Sequence, residues 1–216
     1  DNSIHLWLQD TDGSIEKQLI TSNLIQSNLT ISGIEKKPFV SRNVVGVLEG
    51  SDPKLKNEYI IYSAHYDHNG VGKPNAQNDS IYNGARDNAV GTVTVLSAAE
   101  NISKFPTKRS SLFILFTGEE KGLLGSKWYV EHPVIPLDKV VYCFNSDNGG
   151  YNDTSKTTII GLNRTSVSHH ITNASATFGL TAIDDPALEQ GLFDRSDNVH
   201  FAAKGIPAPT FSMGFN

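Results

Sequence analysis

The sequence predicts an α/β fold: a three-layer sandwich with a mixed, mostly parallel central sheet flanked by helices. Short apolar runs alternate with stretches of helical periodicity along most of the chain. Three of those runs, Tyr59 to Ala64, Ser111 to Phe116 and Val140 to Asn145, lack the polar alternation of a half-exposed strand and read as strands covered on both faces. The strong acids and a histidine fall just past the ends of these runs, where the loops of an open α/β sheet converge on one crevice.

Taken in order, residues 1–28 carry no strong pattern and read as a lead-in, the end of a preceding domain. Leu29 to Ile34 and Asn43 to Leu48 are β-rich and separated by Gly33 to Pro38, which predicts an antiparallel hairpin on one sheet edge. The buried strand Tyr59 to Ala64 follows. From Asn88, small and apolar residues recur at helical spacing (Val90, Val93, Thr94, Leu96, Ala98) until about Asn101. Strand Ser111 to Phe116, helix Leu123 to Val130 and strand Val140 to Asn145 continue the alternation. Thr157 to Ile160 reads as a further strand and Val167 to Phe178 as a helix. Phe201 to Lys204 is the end of a helix stopped by Gly205-Ile206-Pro207.

Composition narrows the function classes. The chain has 216 residues, 38% hydrophobic and 19% charged, which suits one domain with a substantial core. No apolar run approaches the roughly 20 residues of a membrane-spanning helix. With a net charge of -5 and no block of Lys and Arg, a nucleic-acid partner is not expected. The single cysteine, Cys143, sits inside an apolar strand and reads as a buried structural thiol.

The chemistry lies in four loops. They carry His65 and Asp67 (Ser63 to His68), Asp87 (Asn83 to Asn88), Glu119 with Glu120 (after Phe116), and Asp147 (after Phe144). Each alone is ordinary: Glu-Glu is commonly a solvated loop, and Asp at a helix start is commonly a cap. Together at successive strand ends they form a cluster of carboxylates that is too costly to bury without cations. Imidazole with carboxylates suits zinc, and a bridging Asp suits a two-metal site. Asp67, two residues from His65, is placed to hold its imidazole, and adjacent Glu119 and Glu120 can divide between water and metal.

The stretches Ser63 to His68, Asn83 to Gly91, Phe116 to Ser126, Asn145 to Asp147 and Arg195 to Pro209 resemble the co-catalytic di-zinc exopeptidases. That family includes bacterial leucyl aminopeptidases, glutamate carboxypeptidases and glutaminyl cyclases. The resemblance implies that His65, Asp87 and Asp147 hold one zinc, that Asp87 bridges to a second also bound by Glu120, that Glu119 is the general base, and that Asp67 orients His65. Asp197 is a substrate-pocket candidate. It also implies a peptidase domain over 29–216, acting on peptide or protein N-termini and secreted or periplasmic. Glutaminyl cyclase-like transfer and a noncatalytic receptor-like relative are the alternatives. The family's last zinc ligand is a His following the strand at Ala208 to Met213, which puts it beyond Asn216. The domain is therefore expected to be C-terminally incomplete, with two zincs in the intact site and one held firmly here. His200 is a weak substitute ligand, and Asn198 stands where relatives carry a His.

Overall fold

The computed structural model describes residues 9–22, 39–147 and 153–213. The chain divides into two units, Asp1–Phe39 and Val40–Asn216. In the first, the described residues form one helix, α1 (Ser14–Thr21). Its leading amides are taken by preceding acids: Ser14 N donates to Asp12 Oδ1 at 3.0 Å and Glu16 N to Asp10 Oδ2 at 2.8 Å. The boundary expected at residue 28 and the strand expected over Leu29 to Ile34 lie outside the described residues.

The second unit is built on β1 (Val44–Leu48), β2 (Tyr59–His65), β3 (Gly70–Val71), β4 (Ile81–Tyr82), α2 (Val90–Lys104), β5 (Ser110–Phe116), α3 (Leu124–Glu131), β6 (Val140–Ser146), β7 (Lys156–Ile160), α4 (Ser168–Thr177), β8 (Thr181–Ile183), α5 (Asn198–Ala202) and β9 (Thr210–Met213). Among the described residues, seven strands form one sheet in the order β1-β5-β2-β6-β9-β7-β8, and β3 pairs with β4 apart from it. The central strands β5, β2, β6 and β9 are mutually parallel. β1 adds antiparallel to β5, and β7 antiparallel to β9 with β8 parallel to β7. The sheet is therefore mixed and mostly parallel, as expected. Among the described residues β1 pairs with β5 alone; the other arm of the expected hairpin is outside them.

Side chains alternate between two covered faces, because successive residues of a strand point to opposite sides. Ile61, Leu112, Ile114, Phe116 and Cys143 pack with Tyr129 and Val130 of α3 and Phe201 of α5. Ala64 and Phe113 turn the other way, onto Val95 and Ile102 of α2. Burying each large apolar side chain contributes about 1.5–3 kcal/mol, and this two-sided burial explains why β2 and β5 read as unbroken apolar runs.

Register then sets the site. His65 pairs with Phe116 and Ser63 with Asn145, so β2, β5 and β6 end nearly level and their loops leave side by side. Gly91 lets α2 approach this edge, since a Cβ there would collide with Asn88 Oδ1 and the Ser146 carbonyl. One expectation is corrected here. Asp87 is not on a regular helix N-terminus: it has φ −115° and ψ 92° in an irregular turn, Ala85–Ala89, and α2 begins at Val90, with Gly91 N donating to Asn88 Oδ1 at 3.1 Å.

Candidate active site

The first cluster forms around His65, which is 1% exposed at the end of β2. Its Nδ1 donates to the Asp67 carbonyl at 3.1 Å, which fixes the tautomer and leaves Nε2 facing inward. Nε2 lies 3.1 Å from Asp87 Oδ1 and 3.5 Å from Asp147 Oδ1. It has no aligned hydrogen-bond partner. Burial alone would lower the His65 pKa, but the carboxylates of Asp147 and Asp87 reverse this and raise it to about 11. These carboxylates demand a cation at Nε2, either a proton or a metal ion. His65, Glu119 and Asp147 bring one ligand atom each within 4.8 Å of one another.

A network of buried polar side chains aims Asp147. Ser63 Oγ donates to Asn145 Oδ1 at 2.9 Å, Asn145 Nδ2 to Ser196 Oγ at 2.8 Å, and Ser196 Oγ to Asp147 Oδ2 at 2.5 Å. Asn145 Nδ2 also reaches Thr210 Oγ1 at 3.1 Å, tying β6 to β9. Asn88 holds the loop beside Asp87 to the end of β6, donating from Nδ2 to the Ser146 carbonyl at 2.8 Å. The sequence reading gave none of these supporting residues a role of its own; Ser63 and Asn145 are single polar residues inside apolar strands.

A second cluster lies beside the first. His68, Asp87 and Glu120 also bring ligand atoms within 4.8 Å of one another. Asp87 thus faces both groups, as a bridging carboxylate must. The adjacent acids diverge: Glu119 goes to His65 and Asp147, Glu120 to His68 and Asp87. Burial, together with the Asp147, Asp197 and Glu120 carboxylates, raises Glu119 to about 8 against the pull of His65. Asp87, Glu119, Glu120 and Asp147 line a cleft of about 230 Å³, with Ile160, Leu192, Arg195 and Ser196 on its other walls. A larger apolar groove of about 640 Å³ beside Phe144 and Ile171 has no carboxylate in its lining, so the acid chemistry does not reach it.

The remaining candidates are placed as follows. The Asp67 carboxylate stands 3.8 Å from His65 Nδ1, and the carbonyl of the same residue takes the hydrogen bond instead. The carboxylate accepts from Glu119 N at 3.2 Å and from Glu120 N at 3.4 Å, so it also anchors the acidic loop. Asp197 is 1% exposed and absent from the cleft lining. Burial pushes it up to about 7 against the Ser126 hydroxyl and His65, and its neighbours Arg195 and Ser196 are the ones that reach the cleft. His200 belongs to neither cluster. Its pKa is lowered by burial and then by Lys127 of α3. Asn198 is a structural strap, donating to the Phe193 and Ala208 carbonyls at 3.1 Å each.

The chain is 29% identical over 177 residues to aminopeptidase YwaD of Bacillus subtilis (strain 168), a match covering 81% of this chain and 36% of that protein. A solved aminopeptidase from Aneurinibacillus sp. strain AM-1 superposes with a TM-score of 0.61 at 28% identity, over 80% of this chain and 39% of that one. The Bacteroides thetaiotaomicron glutaminyl cyclase structure matches with a TM-score of 0.57 over 81% of this chain and 66% of that one. At 16% identity it shares the fold alone. The chain therefore spans under two fifths of the length of each of these two aminopeptidases. Residues 43–215 match peptidase family M28, a span that takes in both clusters and every strand of the seven-stranded sheet, and the chain belongs to that family.

Proposed function

We propose that this chain carries the catalytic centre of a zinc-dependent aminopeptidase that hydrolyses the N-terminal peptide bond of peptides. The observation that carries the reading is the pair of adjoining clusters, His65–Glu119–Asp147 and His68–Asp87–Glu120, at the C-terminal edge of the parallel strands. Their donor set fits zinc: imidazole and carboxylate, with a buried, unpartnered Nε2 aimed at two acids. His65, Asp87 and Asp147 would hold one ion, with Asp87 bridging to a second on the Glu120 side. Ions bound there would supply the Lewis acidity that polarises the scissile carbonyl and acidifies water.

The chain's own residues do the rest. Glu119 opens to the cleft beside His65 and Asp147, where its carboxylate takes the proton of the attacking water and returns it to the departing amine nitrogen. Ser196 and Asn145 hold Asp147 at its angle. Ile160 and Leu192 offer an apolar wall for the substrate's first side chain. Aminopeptidase relatives support this substrate class, and the family resemblance supports a secreted or periplasmic setting. Among the described residues no helix is long and apolar enough to cross a membrane.

The test is Glu119→Gln assayed on a panel of aminoacyl chromogenic amides. Turnover should fall by at least the roughly 10²–10⁴-fold assigned to a positioned general base, with bound zinc unchanged. Loss of zinc would make Glu119 a ligand and overturn its role. Release of ammonia from N-terminal glutaminyl peptides, without free amino acid, would replace hydrolysis by cyclisation.

A further inference from the structure

One step along the chain separates Ser196, which faces Asp147 and the cleft, from Asp197, which does not reach the cleft. Asp197 is 1% exposed, and among the described residues neither of its buried carboxylate oxygens has an aligned hydrogen-bond partner. Its place before α5 offers an ordinary role, that of a helix cap, and Asp197 does not fill it. The residue is itself helical, with φ −56° and ψ −23°, and makes no side-chain cap bond. The hydroxyl that acts on it, Ser126 Oγ of α3, donates to the Leu123 carbonyl at 3.2 Å.

A buried carboxylate without hydrogen bonds is among the costliest groups a fold can hold. Burial is the largest influence on Asp197 and pushes it up to about 7. The charged groups that act on it most strongly are His65, Asp147 and Asp67, and of these only His65 can be positive. Its own charge also reaches Glu119, which it helps to raise. Asp197 therefore lies behind the first cluster, opposed by the cluster's carboxylates and favoured by a cation at His65. A proton on that imidazole supplies one positive charge. A divalent ion bound at Nε2 supplies two.

We infer that Asp197 is a buried counter-charge for the ion held by His65, Asp87 and Asp147, a carboxylate that costs the metal-free fold stability and is compensated when that ion binds, without ligating it or touching substrate. This inference rests on the reading of the first cluster as a metal site. Acting through the low-dielectric interior rather than through a bond, Asp197 raises affinity for a divalent cation and disfavours the metal-free chain. The opposite signs separate it from a packing residue, whose loss would lower both.

The experiment measures two quantities at pH 8 in the 216-residue chain and its variants: Zn²⁺ affinity by chelator competition, and the thermal unfolding midpoint of the metal-free protein. Asp197→Asn removes the charge at nearly constant volume, and Asp197→Leu removes the polarity as well. Each should weaken zinc binding by about 10–100-fold, the range of a group that supports a metal centre without ligating it. Each should also raise the metal-free midpoint, by about 2–4 °C or more. Asp194→Asn, which removes an exposed charge three residues earlier, should move neither. A zinc affinity within threefold of wild type in both Asp197 variants overturns the inference, as does a metal-free midpoint that falls in both, since Asp197 would then be a stabilising part of the fold. An equal loss of affinity in Asp194→Asn also overturns it, because the effect would be one of net charge. Zinc binding that His65→Ala abolishes and both Asp197 variants leave unchanged sinks this inference alone. If the wild-type chain binds no zinc, the metal-site reading falls and takes this one with it.

Discussion

Ser196→Ala isolates the support beneath the first cluster. The hydroxyl links Asn145 to Asp147, and its 2.5 Å bond to Asp147 Oδ2 is charge-assisted. A bond to a charged group contributes about 1.5–3 kcal/mol. At about 1.4 kcal/mol per tenfold this corresponds to roughly 10–150-fold in affinity, if the whole loss falls on the metal-binding geometry of Asp147. The damage should stay local, because Asn145 Nδ2 keeps its second acceptor, Thr210 Oγ1, at 3.1 Å. Asn145→Leu should do more: it removes the acceptor of Ser63 Oγ, which keeps only its 3.6 Å contact with Cys143 Sγ, and the donor to Thr210 Oγ1, at about 1–3 kcal/mol for each group left unsatisfied. Chelator competition gives the metal affinity, and denaturant unfolding of the metal-free protein gives stability. Ser196→Ala should show mainly the first effect and Asn145→Leu both, with a coupling energy in the double mutant. A Ser196→Ala affinity within threefold of wild type would refute the claim that this network aims Asp147.

The remaining outcomes follow from single contacts. Asp67→Asn turns an amide toward the Glu119 and Glu120 N–H groups and should weaken metal binding by about 10–100-fold while the His65 tautomer, held by the residue 67 carbonyl, persists in ring-nitrogen NMR; a changed tautomer would show that the carboxylate, not the carbonyl, sets it. Cys143 is fully buried, and burial pushes its thiol up to about 12 against the Ser63 hydroxyl. It should resist a thiol-specific reagent at pH 8 until the chain is unfolded, and rapid labelling of the native protein would contradict that. Phe116→Ala should cost about 3–5 kcal/mol in denaturant unfolding, since Phe116 packs on the rings of Tyr129 and Phe201 at about 6 Å; a cost below 1 kcal/mol would mean the core refills the space.

Much of this arrangement is legible in the sequence because β2, β5 and β6 are covered on both faces. Their apolar runs stop where the sheet stops, so the first acid or histidine afterwards marks the edge. What was not legible depends on short or polar elements. The β3–β4 hairpin has two exposed residues per strand and no apolar pattern, so its placement of Tyr82 and Gly84 against His68 left no signal beyond the Asn83-Gly84 pair. Strand β8 spans three residues and is equally silent. Asn145 and Ser196 look like interruptions until the register sets them against Ser63 and Asp147. Asp197 is a pocket candidate through the family resemblance alone; its neighbours Arg195 and Ser196 line the cleft, and a single step along the chain carries Asp197 inside.

The division of labour proposed for Glu119 and Glu120 would rest on a small difference in structure. The two residues are adjacent, and the loop that carries them is tightly wound: Gly118 has φ 69°, Leu123 has φ 59°, and Gly122 N and Leu123 N both donate to the Glu119 carbonyl at 2.9 Å. That turn sends the consecutive side chains to different clusters. The Asp67 carboxylate, one oxygen to each amide, holds both in register with the strand that carries His65. The Asp67 carboxylate therefore reaches both clusters through the main chain, and Ser196 reaches the first through Asp147. If the clusters hold metal as proposed, perturbing the two separately should give two distinct patterns of metal loss: both equivalents for Asp67→Asn, and the His65 equivalent alone for Ser196→Ala. A common loss from both would mean that the clusters behave as one site, with Asp87 too tightly shared for either half to be weakened alone.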